Sequence, residues 1–255
     1  MIYTYFKLFF CIFILTKNNQ QLFKLEKRFE IKHQNYLIMS IINKEKEEKF
    51  RKNKTSTTPF ISEEEYLERE FLAETKSEYD NGKIVAMAGA QPAHNQIVSN
   101  LQGELYICLR DSDCTLYPSD MLVHLPKCTK YVFPDLTITC EELVFAQKNR
   151  NGLKVLTNPQ IVIEVSSKST EGYDLGEKMK CYLKLKSLKE YIIVSTKQKL
   201  IIIYTKNKKG EIRTKIYDEN DKEVKIGDCK ISMDRIYRKV GFELENESET
   251  EEEKS

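Results

Sequence analysis

Asp135 and Glu164 stand in places where an acid is unfavourable. Asp135 follows Pro134 within the extended run Tyr131-Val132-Phe133-Pro134-Asp135-Leu136-Thr137-Ile138-Thr139, and Glu164 lies inside Ile161-Val162-Ile163-Glu164-Val165-Ser166-Ser167. Val- and Ile-rich runs of this length are strand signals, and a continuous apolar run suits a strand buried on both faces. An ionised carboxylate there needs a partner or a metal. If the two strands are neighbours, both carboxylates converge at one end of a sheet, where like charges resist ionisation unless a cation lies between them. Hard oxygen ligands of this kind suit Mg2+, or Mn2+ in its place, held by one or two carboxylates with several waters kept. Such an ion polarises a phosphoryl oxygen and generates a hydroxide nucleophile. A phosphate transition state also calls for a cationic side chain, and Lys178 is the candidate. Asp174, Lys178 and Tyr182 are spaced i, i+4, i+8, so they share one face of a helix predicted over 174–186.

The elements that must position these groups can be read in order. Ser62-Glu63-Glu64-Glu65 fits a capping box and starts a short helix to about Glu70. Asn81-Gly82 between extended flanks predicts a hairpin over Glu78–Met87. Gly89–Pro92 reads as a turn, and the apolar stripe at 97, 98, 101, 105 and 109 predicts a long helix from Ala93 to about Arg110. Cys114–Leu125 reads as a strand broken at Pro118, Glu141–Gln147 as a short helix, and Asn149–Pro159 as a loop. Strands are expected at Glu190–Ser195 and Leu200–Thr205, with Glu211–Tyr217 and Glu223–Ile226 as hairpin strands on an edge and a closing helix at Ser232–Val240.

The length of 255 residues suits one domain with tails. Residues 1–58 carry twelve Lys/Arg against five Asp/Glu, and residues 241–255 carry seven Glu against one Lys. We therefore expect a leader and linker at 1–58 outside the fold, a folded core at 59–240 and a disordered acidic tail at 241–255. The core is close to neutral, so any nucleic-acid binding is expected through a local patch. Leu8–Leu15 is apolar but well short of the ~20 residues that span a bilayer. No stable membrane insertion is expected, a surface anchor being the sharper alternative, and Met39 is a second plausible start. The seven Cys include no C-x-x-C pair, which argues against structural zinc and predicts reduced, partly buried thiols in a cytoplasmic protein.

An acid after Pro, a later strand acid and a nearby Lys resemble the PD-(D/E)XK phosphodiesterase superfamily. More closely, the chain resembles the Uma-type restriction endonucleases. The match is carried by Tyr66-Leu67, Glu78-Tyr79-Asp80-Asn81-Gly82-Lys83-Ile84, His94-Asn95 with Leu101 and Leu105, Ser119-Asp120 and Pro134-Asp135. It continues through Glu164-Val165-Ser166 with Ser169-Thr170, Asp174 with Lys178 and Tyr182, and Leu188-Lys189-Glu190-Tyr191, covering about residues 60–205. The resemblance implies an α/β, restriction-endonuclease-like fold, a mixed β-sheet flanked by helices, to which this chain adds a C-terminal β-hairpin. It implies metal-dependent hydrolysis of DNA phosphodiesters, with Asp135 and Glu164 as metal ligands, Lys178 as the catalytic lysine, and Asp120 and Glu78 as outer members of the site. Cleaving both strands takes two active sites, which is compatible with a homodimer. The superfamily's usual lysine, two residues after the strand acid, is replaced here by Ser166. In this family the lysine is expected from the following helix, and Lys168 on the intervening loop is the rival to Lys178.

Each residue also has a structural alternative. Asp135 could end a strand, Glu164 could lie on an edge, Lys178 could belong to a solvated lysine face, Asp120 could pair with a nearby Lys and Glu78 could brace the hairpin. His94 could be a cap or a structural hydrogen-bonder, and Tyr182 could be core or could orient Glu164 or Lys178. The alternative reading of function is a catalytically inactive nucleic-acid-binding or protein-interaction module on the same fold.

Overall fold

The computed structural model describes residues 60–87, 89, 91–146, 152–167 and 170–242. The expected leader, Leu8–Leu15, Met39, Lys168 and all of the acidic tail beyond Phe242 lie outside them, as does part of the expected turn at Gly89–Pro92.

Helix α1 (Glu63–Leu72) begins where the sequence sets its cap: the Ser62 hydroxyl accepts from the Glu65 N–H at 3.1 Å, and three Glu occupy the first turn. Strands β1 (Ser77–Asp80) and β2 (Lys83–Ala86) form the predicted hairpin, with Asn81 at φ 44° and Gly82 at φ 93° supplying the turn. Helix α2 (Pro92–Leu109) starts on a proline and buries Ile97, Leu101 and Leu105 completely. The predicted strand broken at Pro118 becomes β3 (Thr115–Pro118) and β4 (Leu122–Leu125), which join different sheets.

The run Tyr131–Thr139, expected as one strand, also divides. It gives β5 (Lys130–Val132) and β6 (Leu136–Thr139) in different sheets, with the break at Phe133-Pro134-Asp135. Pro134 has no N–H to offer a ladder, so the chain can leave one sheet and enter the other there. Over 141–146, the described part of the helix expected at 141–147, no helix is formed. The chain is extended instead: Ala146 N–H bonds to the Val155 carbonyl and Thr157 N–H to the Val144 carbonyl, each at 2.9 Å, and Phe145 bridges to Leu156. The expected loop after it contains β7 (Val155–Leu156).

The main sheet is mixed and six-stranded, ordered β11-β10-β9-β8-β6-β3. It comprises β8 (Ile161–Ser166), β9 (Glu190–Ser195), β10 (Ile201–Lys206) and β11 (Ile212–Tyr217) besides β6 and β3, and only the β8–β9 pair is parallel. A five-stranded sheet, β2-β1-β5-β4-β7, carries the N-terminal hairpin. The C-terminal hairpin is present but differently composed: β12 (Glu223–Ile226) pairs with β13 (Cys229–Ser232), while β11 extends the main sheet through β10. Between β8 and β9 lies the composite helix α3, α-helical at Glu171–Tyr173, a π turn at Asp174–Lys178, and α-helical again at Met179–Tyr182. It starts earlier and stops sooner than the predicted 174–186. Helix α4 (Met233–Ile236) is shorter than predicted, and Ser232 caps it by position without a side-chain bond. Among the described residues no helix is long and apolar enough to cross a membrane.

β8 alternates between two layers, as a strand must. Ile161, Ile163 and Val165 pack with the α2 stripe, and Val162 packs with Met179, Tyr182, Leu185, Tyr191 and Ile193 on the α3 side. A third cluster, built on Tyr66, Tyr79, Tyr131 and Phe133, joins α1 to the five-stranded sheet.

Among the described residues the cysteines depart from the expectation of reduced thiols, and Cys11 lies outside them. Disulfides join Cys108 to Cys229, Cys114 to Cys140 and Cys128 to Cys181. Cys114 and Cys140 flank the paired residues Thr115 and Thr139, so strand register alone brings them together. The partners are 121, 26 and 53 residues apart, and sequence spacing carries no trace of such contacts.

Candidate active site

Glu164 faces the α3 side of β8 because it is two residues from Val162. It is 4% exposed. The β6–β8 ladder runs Ile138↔Ile161, Thr137↔Val162, Leu136↔Ile163, so its next step sets Asp135 opposite Glu164. Regular pairing stops there. Asp135 Oδ2 accepts the Val165 N–H at 2.7 Å, doing with a side chain what a strand carbonyl does in a ladder. The same carboxylate lies 3.1 Å from Nε2 of His94, which sits in the first turn of α2.

Lys178 ends the π turn of α3 and is buried with its partners. Its Nζ lies 3.1 Å from Glu78 Oε1 and 3.1 Å from Glu164 Oε1. Tyr182, one turn on, donates its hydroxyl to Glu164 Oε1 at 3.2 Å. Glu78 comes from β1, and its carboxylate also accepts the Phe133 N–H at 3.1 Å, the amide left over where β5 and β6 part. Ser166 stands on the same side of β8 as Glu164. Its hydroxyl donates to Asp174 Oδ2 at 2.8 Å and so tethers the first residue of the π turn that delivers Lys178. π turns are rare and concentrate at functional sites.

The electrostatics follow from one ammonium among several buried acids. Burial opposes the charge on Lys178, but Glu164, Glu78 and Asp174 outweigh it and hold the lysine pKa well above its ordinary value. Burial raises Glu164 well above the ordinary carboxylate range; Lys178 opposes this, while Asp174, Asp135 and Glu78 add to it. Asp174 is raised chiefly by burial against the pull of Lys178 and Ser166. The ammonium therefore stays charged, and the acids around it exceed what it can neutralise. At His94 burial opposes the charged ring, but the Asp135 hydrogen bond and charge raise its pKa overall.

Among the described residues no three of His, Cys, Asp and Glu are grouped as a metal cage. A Mg2+ site needs less: one or two carboxylates and several waters. Asp135 and Glu164, each next to the last pair of the β6–β8 ladder, offer that donor set. Burial and the neighbouring Asp174, Asp135 and Glu78 disfavour the charge on Glu164, and a divalent ion there would offset them.

The sequence-predicted residues Asp135, Glu164, Lys178 and Glu78 are thus linked through ladder register and hydrogen bonds. Asp120 has an 83% exposed side chain whose carboxylate meets Lys76 Nζ at 2.9 Å. Two further groups had only weak sequence signals. His94 Nδ1 is buried without a hydrogen-bond partner while its other nitrogen faces Asp135. Lys130, buried, pairs with Asp80 and donates to the Tyr173 hydroxyl at 3.3 Å, so Tyr173 lies between the two buried lysines, with Lys178 Nζ 6.0 Å from its ring centroid. Asp80 beside the hairpin turn was the only pointer to this group.

Comparison with known proteins now adds to the geometry. Residues 63–229 match the family Uma2, described as "Putative restriction endonuclease". Two Synechocystis sp. proteins are similar to the chain. The protein slr1290 is 33% identical over 185 residues, 72% of this chain and 95% of its own length. The protein sll1609 is 33% identical over 139 residues, 54% of this chain and 77% of its own length. A crystal structure described as a "putative nuclease belonging to DUF820" from Anabaena variabilis superposes with a TM-score of 0.52 at 15% identity, covering 67% of this chain and 96% of that one. That likeness establishes the fold, which is restriction-endonuclease-like. The family pattern spans the whole of β8, α3 and the strands that supply Glu78 and Asp135, and the chain belongs to the Uma2 family.

Proposed function

We propose that this protein is an endonuclease that hydrolyses DNA phosphodiester bonds with a divalent metal, Mg2+ or Mn2+. One observation carries the reading: the β6–β8 ladder ends at Leu136↔Ile163, the residues next to Asp135 and Glu164, and the Lys178 ammonium lies 3.1 Å from Glu164. The family description supports DNA as the substrate. Asp135 and Glu164 are the residues that would hold the ion. When bound, it supplies a water of lowered pKa and neutralises charge on the phosphate.

The chain's own groups have separable tasks. Lys178, kept charged by Glu78 and Glu164, presents a positive hydrogen-bond donor to the phosphate as negative charge grows on it. Glu78 and Asp174 fix that lysine from both ends of its π turn. Tyr182 holds one oxygen of Glu164, and His94 with the Val165 N–H holds Asp135, so neither carboxylate has to reorganise during reaction.

The test is plasmid nicking by the full chain in EDTA, Mg2+ and Mn2+, beside Asp135→Ala and Lys178→Ala. Metal-dependent nicking reduced about a hundredfold or more in both variants is expected. A folded protein that binds DNA but nicks it under no metal would overturn the reading in favour of a non-catalytic binding module.

A further inference from the structure

Lys178 lies only three residues from a covalent tether. Cys181 in α3 is bonded to Cys128, which closes the 3-10 turn Pro126–Cys128 between β4 and β5. From that turn β5 leads through Phe133, whose N–H is held by Glu78, to Asp135. The cross-link therefore fastens the lysine-bearing helix to the segment that ends at the strand acid. The other two disulfides lie elsewhere: Cys108–Cys229 joins α2 to β13, and Cys114–Cys140 closes the end of the β3–β6 pair remote from Asp135.

The two sulfurs of the tether differ. Cys181 is 6% exposed, whereas Cys128 is partly exposed and has Lys184 Nζ 3.4 Å from its Sγ. An adjacent ammonium stabilises a thiolate. We propose that Cys128–Cys181 is a thiol–disulfide exchange site that takes a dithiol reductant and governs the position of Lys178. The claim about catalysis rests on the nuclease reading above; the exchange site itself does not.

The chemistry balances. A thiolate of the dithiol attacks Cys128 Sγ, the bond to Cys181 breaks, and the electron pair leaves on Cys181 Sγ, which takes a proton. The second thiol of the reductant then attacks its own sulfur in the mixed disulfide. That step releases Cys128 as a thiolate beside Lys184 and leaves the reductant as a disulfide. Two electrons pass to the cysteine pair. In the oxidised form α3 is pinned beyond its π turn. In the reduced form the Ser166–Asp174 and Tyr182–Glu164 hydrogen bonds and the packing of Met179, Tyr182 and Leu185 remain, but the covalent limit is gone and Lys178 gains freedom to leave Glu78 and Glu164.

The full chain is equilibrated in oxidised or reduced dithiothreitol and alkylated. Peptide mapping locates the cross-links, and amide hydrogen exchange is followed over residues 174–185. The Cys128–Cys181 peptide pair is expected under oxidising conditions, with exchange in 174–185 about tenfold faster after reduction. The double variant Cys128→Ser/Cys181→Ser should exchange like the reduced form and ignore dithiothreitol, while Cys114→Ser/Cys140→Ser leaves 174–185 unchanged. Nicking should fall about tenfold on reduction of the native chain. Free, alkylated Cys128 and Cys181 at every redox ratio would overturn the proposal, and so would a cross-link whose reduction leaves exchange over 174–185 unaltered. An exchange response without nicking in any state would sink the nuclease reading and leave the exchange site supported.

Discussion

On the α2 side of β8, Ile161, Ile163 and Val165 pack with Ile97, Leu101 and Leu105 in an apolar cluster. On the α3 side Val162 packs with Met179, Tyr191 and Ile193, but the next residue on that side is Glu164, and Lys178 reaches in to meet it. The same six-residue strand thus builds one face that gains from burial and another in which burial is opposed by the desolvation of a charge pair. A buried ion pair is weak evidence for stability, since an apolar pair of the same volume commonly does as well or better. Its presence on only one face of β8 points to chemistry there, and the difference can be broken experimentally from either side.

The largest effect on folding belongs to the apolar face. Ile163→Ala removes a fully buried side chain between α2 and the sheet, and denaturant unfolding should show a loss of about 2–5 kcal/mol. The ionic face should behave in the opposite sense. Glu164→Leu combined with Lys178→Met and Glu78→Gln replaces the ionic group by uncharged side chains of similar bulk, and the amide oxygen introduced at position 78 can still accept the Phe133 N–H. That triple variant is expected to be unchanged or about 1–4 kcal/mol more stable while losing metal-dependent nicking altogether. A triple variant that unfolds would show that the ionic group holds the face together, and the contrast between the two sides of β8 would collapse.

A smaller effect tests how closely Glu164 is held. Tyr182→Phe deletes the buried hydroxyl that donates to Glu164 at 3.2 Å and leaves the ring in its packing. The expected loss is about 1.5 kcal/mol in unfolding experiments, with Mg2+ affinity reduced by calorimetry before kcat changes. Unaltered metal affinity would confine Tyr182 to packing.

Why some of this was legible in the sequence and some was not follows from how far each signal reaches. Asp135 and Glu164 stood out because a carboxylate in a Val/Ile run is locally anomalous, and their register as neighbours needed only the two strands to pair. Lys178 stood out through its i+4 spacing from Asp174 and towards Tyr182, which survives the π turn because all three still point into the core. Asn81-Gly82 and the Ser62 cap are four-residue signals; the turn forms as expected and Ser62 caps the Glu65 N–H, while the Glu65 carboxylate pairs with Arg69. The failures were non-local. The segment 141–147 has residues acceptable in a helix, yet Val144 and Ala146 are claimed by hydrogen bonds to 155–157, which no local propensity registers. The break at Phe133–Asp135 is hidden in the sequence because a Pro beside an acid in a Val/Ile run suits a strand-borne site as well as a crossing between sheets. β12 found its partner in β13 rather than β11 because Gly227 turns the chain at φ 55°, a tighter hairpin than the one the hydrophobic pattern suggested. The disulfides were invisible for the same reason: each depends on two elements meeting in space.

The mildest test compares two acids on neighbouring strands. Glu190, at the start of β9, is paired in parallel register with Ile161 of β8, and like Glu164 it has a pKa raised by burial. Their partners differ. Glu164 has a buried ammonium, whereas Glu190 Oε2 accepts the Gly227 N–H at 2.9 Å, a bond that lowers the pKa without cancelling the effect of burial. The sign is set by the raised folded value. Between the unfolded and folded pKa the folded state binds more protons, so Glu190 makes stability fall as pH rises from the ordinary carboxylate range through its folded pKa. Glu190→Gln stays neutral across that window and keeps a carbonyl oxygen for Gly227. It should match the native protein in acid and melt about 1–2 °C higher at neutral pH, with nicking untouched. A melting difference that persists at low pH would trace the effect to packing of the amide rather than to the proton. Equal melting at every pH would show that solvent at the β12–β13 turn screens Glu190 fully, which leaves Glu164 as the acid of this pair whose charge the fold must answer with a partner.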